Sequence, residues 1–288
     1  MTDSISDMFN RMSGYGIKPV KSLGQNFLAD KNTIEKIIDS AEITREDLVI
    51  EVGPGAGSLT KRLAEKAGNL IAVEIDKNLI PLLEDLLSDN ENARVVHADV
   101  LKYDIPSLLK SDYSDYKSYK VVANLPYYIT TPILMKFLES DFPPSAMVVM
   151  MQKEVAERIN AGPGGKEYGS LSVVAGYYCS VSKVMDVSPN CFYPKPDVSS
   201  TVLRMDTREN PEVSIDDEGL FFRLVRSAFS QRRKKVSNSI SNTLGYDISK
   251  KQIEEVLGQM SIPSDIRAER LSIGNFAELS NRIGKIVK

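Results

Sequence analysis

The chain has 288 residues and a formal net charge of -3, with the apolar and charged shares of an ordinary soluble globular protein, enough for about two domains. One histidine, His97, and two scattered cysteines, Cys179 and Cys191, exclude a His-based nucleophile triad, a His-rich metal site, a zinc site and a disulfide framework, so no metal is expected. No apolar run approaches the ~20 residues of a membrane span.

The chain starts MTDSISDMFNRM, with early acids and no apolar segment, so no secretory signal is expected; with the sparse cysteines this points to the cytoplasm. Lys18 and Lys21 flank an acid-free stretch. From about 33 to 205, short β-branched runs alternate with amphipathic segments. LVIEVG (48–53), LIAVEID (70–76), ARVVHAD (93–99), KVVAN (120–124) and AMVVMMQ (146–152) read as strands. SLTKRLAEKAG (58–68) and NLIPLLEDLLSD (78–89) read as helices between them. That alternation implies right-handed βαβ units and a parallel sheet covered on both faces. NAGPGGKEYGS (160–170) reads as a mobile loop. LSVVAGYYCSVSKVMDV (171–187) and SSTVLRMD (199–206) read as late strands forming an antiparallel edge. The polar stretch 206–219 reads as a linker, and 218–288 is helical in period throughout. The expected organisation is an α/β domain over 1–206 and a smaller helical domain over 207–288.

The first strand runs into EVGPGAGSLT (51–60), with Gly53, Gly55 and Gly57 before a helix. Glycines there allow a sharp turn and close approach of a ligand. The spacing is neither the dinucleotide fingerprint nor a P-loop, and a bare helix-initiating turn is the competing reading. Glu51 sits at the loop's entry. Glu74 ends the second strand, where a carboxylate can accept both ribose hydroxyls, and Asp99 ends the third, placed for an adenine amino group. The loop has no Lys or Arg to meet a pyrophosphate. A phosphate-free nucleoside fits better than NAD or ATP, and S-adenosylmethionine is one, with a sulfonium suited to an acidic pocket.

Asn124 ends the fourth strand and opens NLPYY (124–128). Pro126 fixes its own φ and keeps Leu125 out of the helical region, which leaves the Leu125 carbonyl free to accept. With the Asn124 side-chain oxygen it makes two acceptors for one exocyclic amine. Accepting both N–H bonds would favour a pyramidal adenine N6 with its lone pair on the methyl group. Tyr127 offers a face for an unstacked base. A plain strand-end turn with a half-buried tyrosine is the alternative. Phe192 in CFYPKPDVSS (191–200), between Pro189, Pro194 and Pro196, could close an aromatic sandwich or be a core residue beside a rigid turn. The run RLVRSAFSQRRKK (223–235) carries Arg223, Arg226, Arg232, Arg233, Lys234 and Lys235 with no acid. It reads as a basic patch or as a solvated helix face.

Taken together, KSLGQNFLAD (21–30), EVGPGAGSLT, AVEID (72–76), NLPYYITTPIL (124–134), MVVMMQKEVAERI (147–159), YGSLSV (168–173), FYPKPDVSS and AFSQRRKKVSNSI (228–240) resemble the rRNA adenine N6,N6-dimethyltransferase family over nearly the whole chain. The likeness is to its kasugamycin-sensitivity type, which dimethylates two adjacent adenines near the 3′ end of small-subunit rRNA. The resemblance implies a Rossmann-like S-adenosylmethionine-dependent methyltransferase fold and a small-subunit rRNA partner within the pre-30S particle. It assigns the methionine end of the cofactor to Asn26 and Leu28, a backbone contact to Gly53, the ribose to Glu74 and the adenine to Asp99. Asn124 would touch cofactor and target, Tyr127 and Phe192 would stack the target, and the basic helix around 226–235 would lie on phosphates. A monomer is expected. The macrolide-resistance type acting on large-subunit rRNA, an assembly checkpoint factor with secondary catalysis, and a dehydrogenase are the rivals.

Overall fold

The computed structural model describes residues 5–20 and 23–287; Lys21, one of the two lysines singled out near the start, lies outside the described residues, as does the beginning MTDS. The first elements are α1 (Ile5–Gly14), β1 (Phe27–Leu28), α2 (Lys31–Ser40), β2 (Leu48–Val52), α3 (Thr60–Lys66), β3 (Asn69–Glu74), α4 (Ile80–Leu86) and β4 (Ala93–His97). There follow α5 (Ile105–Asp112), β5 (Tyr119–Asn124), α6 (Thr130–Leu138), β6 (Ala146–Gln152), α7 (Lys153–Ile159), α8 (Ser170–Tyr178), β7 (Cys179–Val187), β8 (Phe192–Tyr193) and β9 (Ser200–Thr207). The last four are α9 (Glu218–Phe229), α10 (Val236–Thr243), α11 (Lys250–Gln259) and α12 (Ile273–Val287).

Local chemistry explains many of the boundaries. Asp30, Asp104 and Asp217 cap α2, α5 and α9 by accepting from the backbone N–H of Thr33, Ser107 and Leu220 at 2.8, 3.0 and 2.8 Å, each satisfying an otherwise orphaned donor. Ser249 and Gln252 form a reciprocal capping box on α11. Pro81 and Pro106 sit in first turns, where no N–H is required.

The chain divides into two compact units, Met1–Ala156 with Ser182–Thr207, and Glu157–Val181 with Arg208–Lys288. The first is built on a seven-stranded sheet in the order β4-β3-β2-β5-β6-β9-β7. The strands from β4 to β6 are parallel, and β9 runs antiparallel to β6. β2 is buried at every position, as are five of the six residues of β3. Each such Val, Leu or Ile contributes roughly 1.5–3 kcal/mol by leaving water. The chain leaves β2 toward β3 on one side and later returns as β5 on the other. The order therefore reverses between β2 and β5, and ligands of open α/β sheets bind at that point beyond the carboxyl ends.

Two segments depart from expectation. Residues 171–178 are the helix α8, not the start of a strand; only 179–187 is extended. Val173, Val174 and the tyrosines carry high β-propensity, but Leu171, Val173, Val174, Ala175 and Tyr177 are all buried, and burial on every side overrides intrinsic preference. The second unit also claims 157–181, which the sequence assigned to the first domain. Tyr168 packs edge-on against Phe229 at 5.8 Å and donates to the Leu271 carbonyl. Tyr177 packs against Phe221 and Phe222 at 5.3 and 5.5 Å.

Candidate active site

The glycine loop follows β2. Gly53, Gly55 and Gly57 have φ of +64°, +60° and +81°, the left-handed region that other residues enter only under strain. A Cβ on Gly55 would stand 2.9 Å from the Phe27 ring, and one on Gly57 would strike Leu86. At Gly53 nothing lies within 4 Å of where a Cβ would be. The loop is thus packed from behind, while Gly53 faces open space in a cavity that its neighbours line.

Three carboxylates line that cavity: Glu51, Glu74 and Asp99. Glu74, at the end of β3, accepts from the Gly55 N–H through Oε2 at 3.0 Å and from the Ile75 and Asp76 N–H groups through Oε1 at 2.9 Å each. Burial raises its pKa and the three backbone donors pull it back. Asp99 accepts from the Leu101 N–H at 3.0 Å. Glu51 is 1% exposed, and its Oε2 has no partner among the described residues. Burial pushes its carboxyl up to about 8, with the charge of Glu74 adding to the rise. No lysine, arginine or histidine lines the cavity.

On the other side of the switch point stands NLPYY. The Asn124 Nδ2 donates to the Asn26 carbonyl at 3.1 Å, and the Asn26 Nδ2 to the Gly24 carbonyl at 3.1 Å. The Leu125 N–H donates to the Met150 carbonyl at 3.0 Å, while the Pro126 carbonyl accepts from the Ile129 N–H and the Thr130 hydroxyl. Among the described residues nothing donates to Asn124 Oδ1 or to the Leu125 carbonyl. Both residues line the cavity. Tyr127 is half-buried, with its hydroxyl in a 2.7 Å bond to that of Ser200, and burial raises its pKa.

Asn26, Leu28, Gly53, Glu74, Asp99, Asn124, Leu125, Pro126 and Tyr127 therefore meet at one cavity. Phe192 does not. It is 4% exposed, pairs with Leu28 across the β1–β8 ribbon and packs in a core cluster with Val187 and Val202. In this arrangement its ring packs in that core and does not line the cavity. Sequence reasoning passed over Gln25, which accepts from the Val20 N–H and donates to Asp76 at 2.8 Å. It also gave no role to Ile75 and Tyr128, exposed at 46% and 54% on the cavity. Nothing local in the sequence marks these, because exposure beside a cavity is a tertiary property.

The basic residues lie in the second unit, and they are not one helix. Arg223 and Arg226 are exposed on α9, which ends at Phe229; Arg232, Arg233, Lys234 and Lys235 occupy the turn before α10. The Arg223 guanidinium lies 4.9 Å over the Tyr246 ring and donates to its hydroxyl. Arg232 donates to the Lys166 and Tyr168 carbonyls at 2.6 and 3.4 Å. The Val236 N–H bonds the Ile266 carbonyl, and the Gly164 N–H bonds that of Glu269. These links bring exposed Lys166, Arg267 and Arg270 up to the turn, cations that a scan for runs could not group with it.

A cavity lined by Glu74 and Asp99 and by no cation, with open space over Gly53 and an orphaned Glu51 carboxyl oxygen, fits a cationic nucleoside without phosphates. Set at the switch point of a Rossmann-like sheet, it defines a methyltransferase that uses S-adenosylmethionine. The family model for ribosomal RNA adenine dimethylases matches residues 17–283, and the chain belongs to that family. A curated relative, the ribosomal RNA small subunit methyltransferase A of Clostridioides difficile, is 49% identical over 269 residues, covering 93% of this chain and 92% of that protein. A dimethyladenosine transferase from Plasmodium falciparum superposes with a TM-score of 0.75 at 25% identity, over 90% of this chain and 98% of that one. The 23S rRNA methyltransferase ErmE superposes with a TM-score of 0.69 at 25% identity, over 90% and 100%.

Proposed function

We propose that the protein transfers methyl groups from S-adenosylmethionine to N6 of two adjacent adenines in the 3′-terminal hairpin loop of small-subunit rRNA, yielding N6,N6-dimethyladenosine. The observation that carries this reading is the pair of unsatisfied acceptors, Asn124 Oδ1 and the Leu125 carbonyl, beside a cavity fitted to that cofactor. The cofactor supplies an electrophilic methyl on a sulfonium. Asn26 and Leu28 would hold its methionine end, Gly53 would meet it through the backbone, Glu74 would take the ribose and Asp99 the adenine.

The target base must first leave its stack, at a cost of about a few kcal/mol, and Tyr127 offers a face to receive it. Its hydroxyl bond to Ser200 holds the ring in place, so little rotamer entropy is lost on stacking. The two acceptors each take one N–H of the exocyclic amine, drawing its lone pair out of conjugation. The donor bond from Asn124 to Asn26 fixes the amide so that Oδ1, not Nδ2, faces the amine. After transfer the nitrogen is acidic and loses its proton to water, so no general base is required. The monomethylated amine keeps one N–H, so one acceptor suffices for the second transfer. No protein–methyl intermediate forms.

The cations at 223–235, with Lys166, Arg267 and Arg270, lie on rRNA phosphates and supply salt-sensitive affinity with little sequence information. Several donors there are bound within the protein, Arg232 to two carbonyls, so the exposed Arg233, Lys234 and Lys235 carry most of this contact. The natural substrate is the immature 30S particle in the cytoplasm, and the enzyme acts as a monomer. No described helix is long and apolar enough to cross a membrane.

The likeness to a 23S rRNA methyltransferase keeps one rival in view. Transfer assayed in parallel on unmethylated 30S subunits and on protein-free 23S rRNA separates them. Incorporation into the 30S subunits is expected; incorporation only into 23S rRNA would reverse the assignment.

A further inference from the structure

NLPYY ends in two tyrosines of different standing. Tyr127 is tied down and half-buried. Tyr128 is 54% exposed on the cavity, one of few large apolar side chains so placed among the described residues. It is nevertheless supported: a Cβ on Gly24 would stand 3.1 Å from Tyr128 Cδ1 and 3.4 Å from Cε1. The Cδ1–Cε1 edge of the ring therefore lies beside Gly24, which at φ +61° takes a conformation suited to glycine. Gly24 is in turn held through its carbonyl by Asn26, the residue that holds Asn124. A ring steadied along one edge by main chain and more than half exposed keeps face area for stacking, and its orientation is linked through Gly24 and Asn26 to the acceptor side chain.

We infer that Tyr128 is a second stacking platform, which takes the purine next to the target and thereby fits the enzyme to a pair of adjacent adenines. This rests on the rRNA adenine reading above. Consecutive turn residues point their side chains apart, so Tyr127 and Tyr128 serve neighbouring bases better than two faces of one base. When the target leaves the strand its neighbour loses a stacking partner, and the open face of Tyr128 replaces it. With Phe192 buried in the β1–β8 core and Tyr127 assigned to the target, Tyr128 is the most exposed aromatic lining this cavity among the described residues.

Steady-state methylation of unmethylated 30S subunits by the wild type, Tyr128→Phe, Tyr128→Leu and Tyr128→Ala tests this, with the product at each adenine resolved by mass spectrometry of the excised loop. Cofactor affinity is measured separately by equilibrium binding. Tyr128→Phe should match the wild type. Tyr128→Ala and Tyr128→Leu should raise KM for the subunit about fivefold or more, the loss expected for one base–aromatic stack. In both, one of the two adenines should lag behind the other, with cofactor affinity unchanged within about twofold. An unaltered KM and product ratio in Tyr128→Ala overturns the inference. So does a loss confined to cofactor affinity, which would make the ring a latch on the Gly24 segment. Absence of dimethyladenosine with the wild type would instead refute the underlying functional reading.

Discussion

With its Nδ2 committed to the Asn26 carbonyl, the Asn124 side chain has one way to face the cavity, and Oδ1 is presented without rotamer search. Removing an acceptor aimed at the reacting nitrogen should act on the transition state more than on the bound cofactor. Asn124→Ala is expected to lower kcat by about a hundredfold or more, as loss of one preorganised hydrogen-bonding group does elsewhere, while cofactor affinity falls far less; single-turnover transfer and equilibrium binding separate the two. Tyr127→Phe removes only the bond to Ser200 and should cost about 1 kcal/mol of stability, leaving the stacking face and most activity. Glu51 provides a pH signature. Burial pushes its folded carboxyl up to about 8 against an ordinary value of 4.5, so the folded state holds a proton that the unfolded chain releases between these values. The stabilisation is full below about 4.5 and is lost as pH rises through about 8. Glu51→Gln should flatten this dependence, so thermal denaturation across pH 5 to 8 should show the wild type losing more stability than the variant. The placement of Asn124, Pro126 and Tyr127 at the cavity was legible in the sequence because a strand end followed by proline has few conformations. Phe192 was not, since whether its ring is offered or buried depends on pairing with β1, a two-residue strand with no period to read.

The elements around the site act as fixed supports. The glycine loop is held by the Gly53 N–H on the Val73 carbonyl and the Gly55 N–H on Glu74, so its shape is set before any ligand arrives. Gly55→Ala combines a strained φ with a Cβ 2.9 Å from Phe27. It should cost about 1–3 kcal/mol, read as a lower denaturation midpoint. Gly53→Ala meets no neighbour, so its stability cost should be the milder backbone strain alone, while cofactor affinity should fall because the methyl enters the cradle. The alternation of strands and helices was plain from periodicity, and so were the parallel strands from β2 to β6. The helix α8 was not, because a nine-residue segment with no charged side chain and only Ser170 and Ser172 as small polar ones has no polar face to reveal its period. The basic run was visible as composition, but its conformation was not: hydrogen bonds from Arg232 to carbonyls more than sixty residues away hold 231–235 as a turn.

For the molecule as a whole, a net charge of -3 sets it apart from strongly basic RNA binders. The electrostatic part of the proposed rRNA affinity is assigned to the local group of cations in the second unit, and such binding weakens with salt through counterion release. Binding to 30S subunits should fall as salt rises, and Arg233→Ala or Lys234→Ala should each reduce the slope of log K against log salt by about 1. Tyr128→Ala, which removes no charge, should leave that slope unchanged. The measurement closest to the central claim is transfer of labelled methyl from S-adenosylmethionine to unmethylated 30S subunits by the wild type and Asn124→Ala, with nucleoside analysis of the RNA. N6,N6-dimethyladenosine is expected at two adjacent positions with the wild type, and near-complete loss with the variant while it still binds cofactor and subunit. Label in any other nucleoside, or undiminished dimethyladenosine from Asn124→Ala, would contradict it.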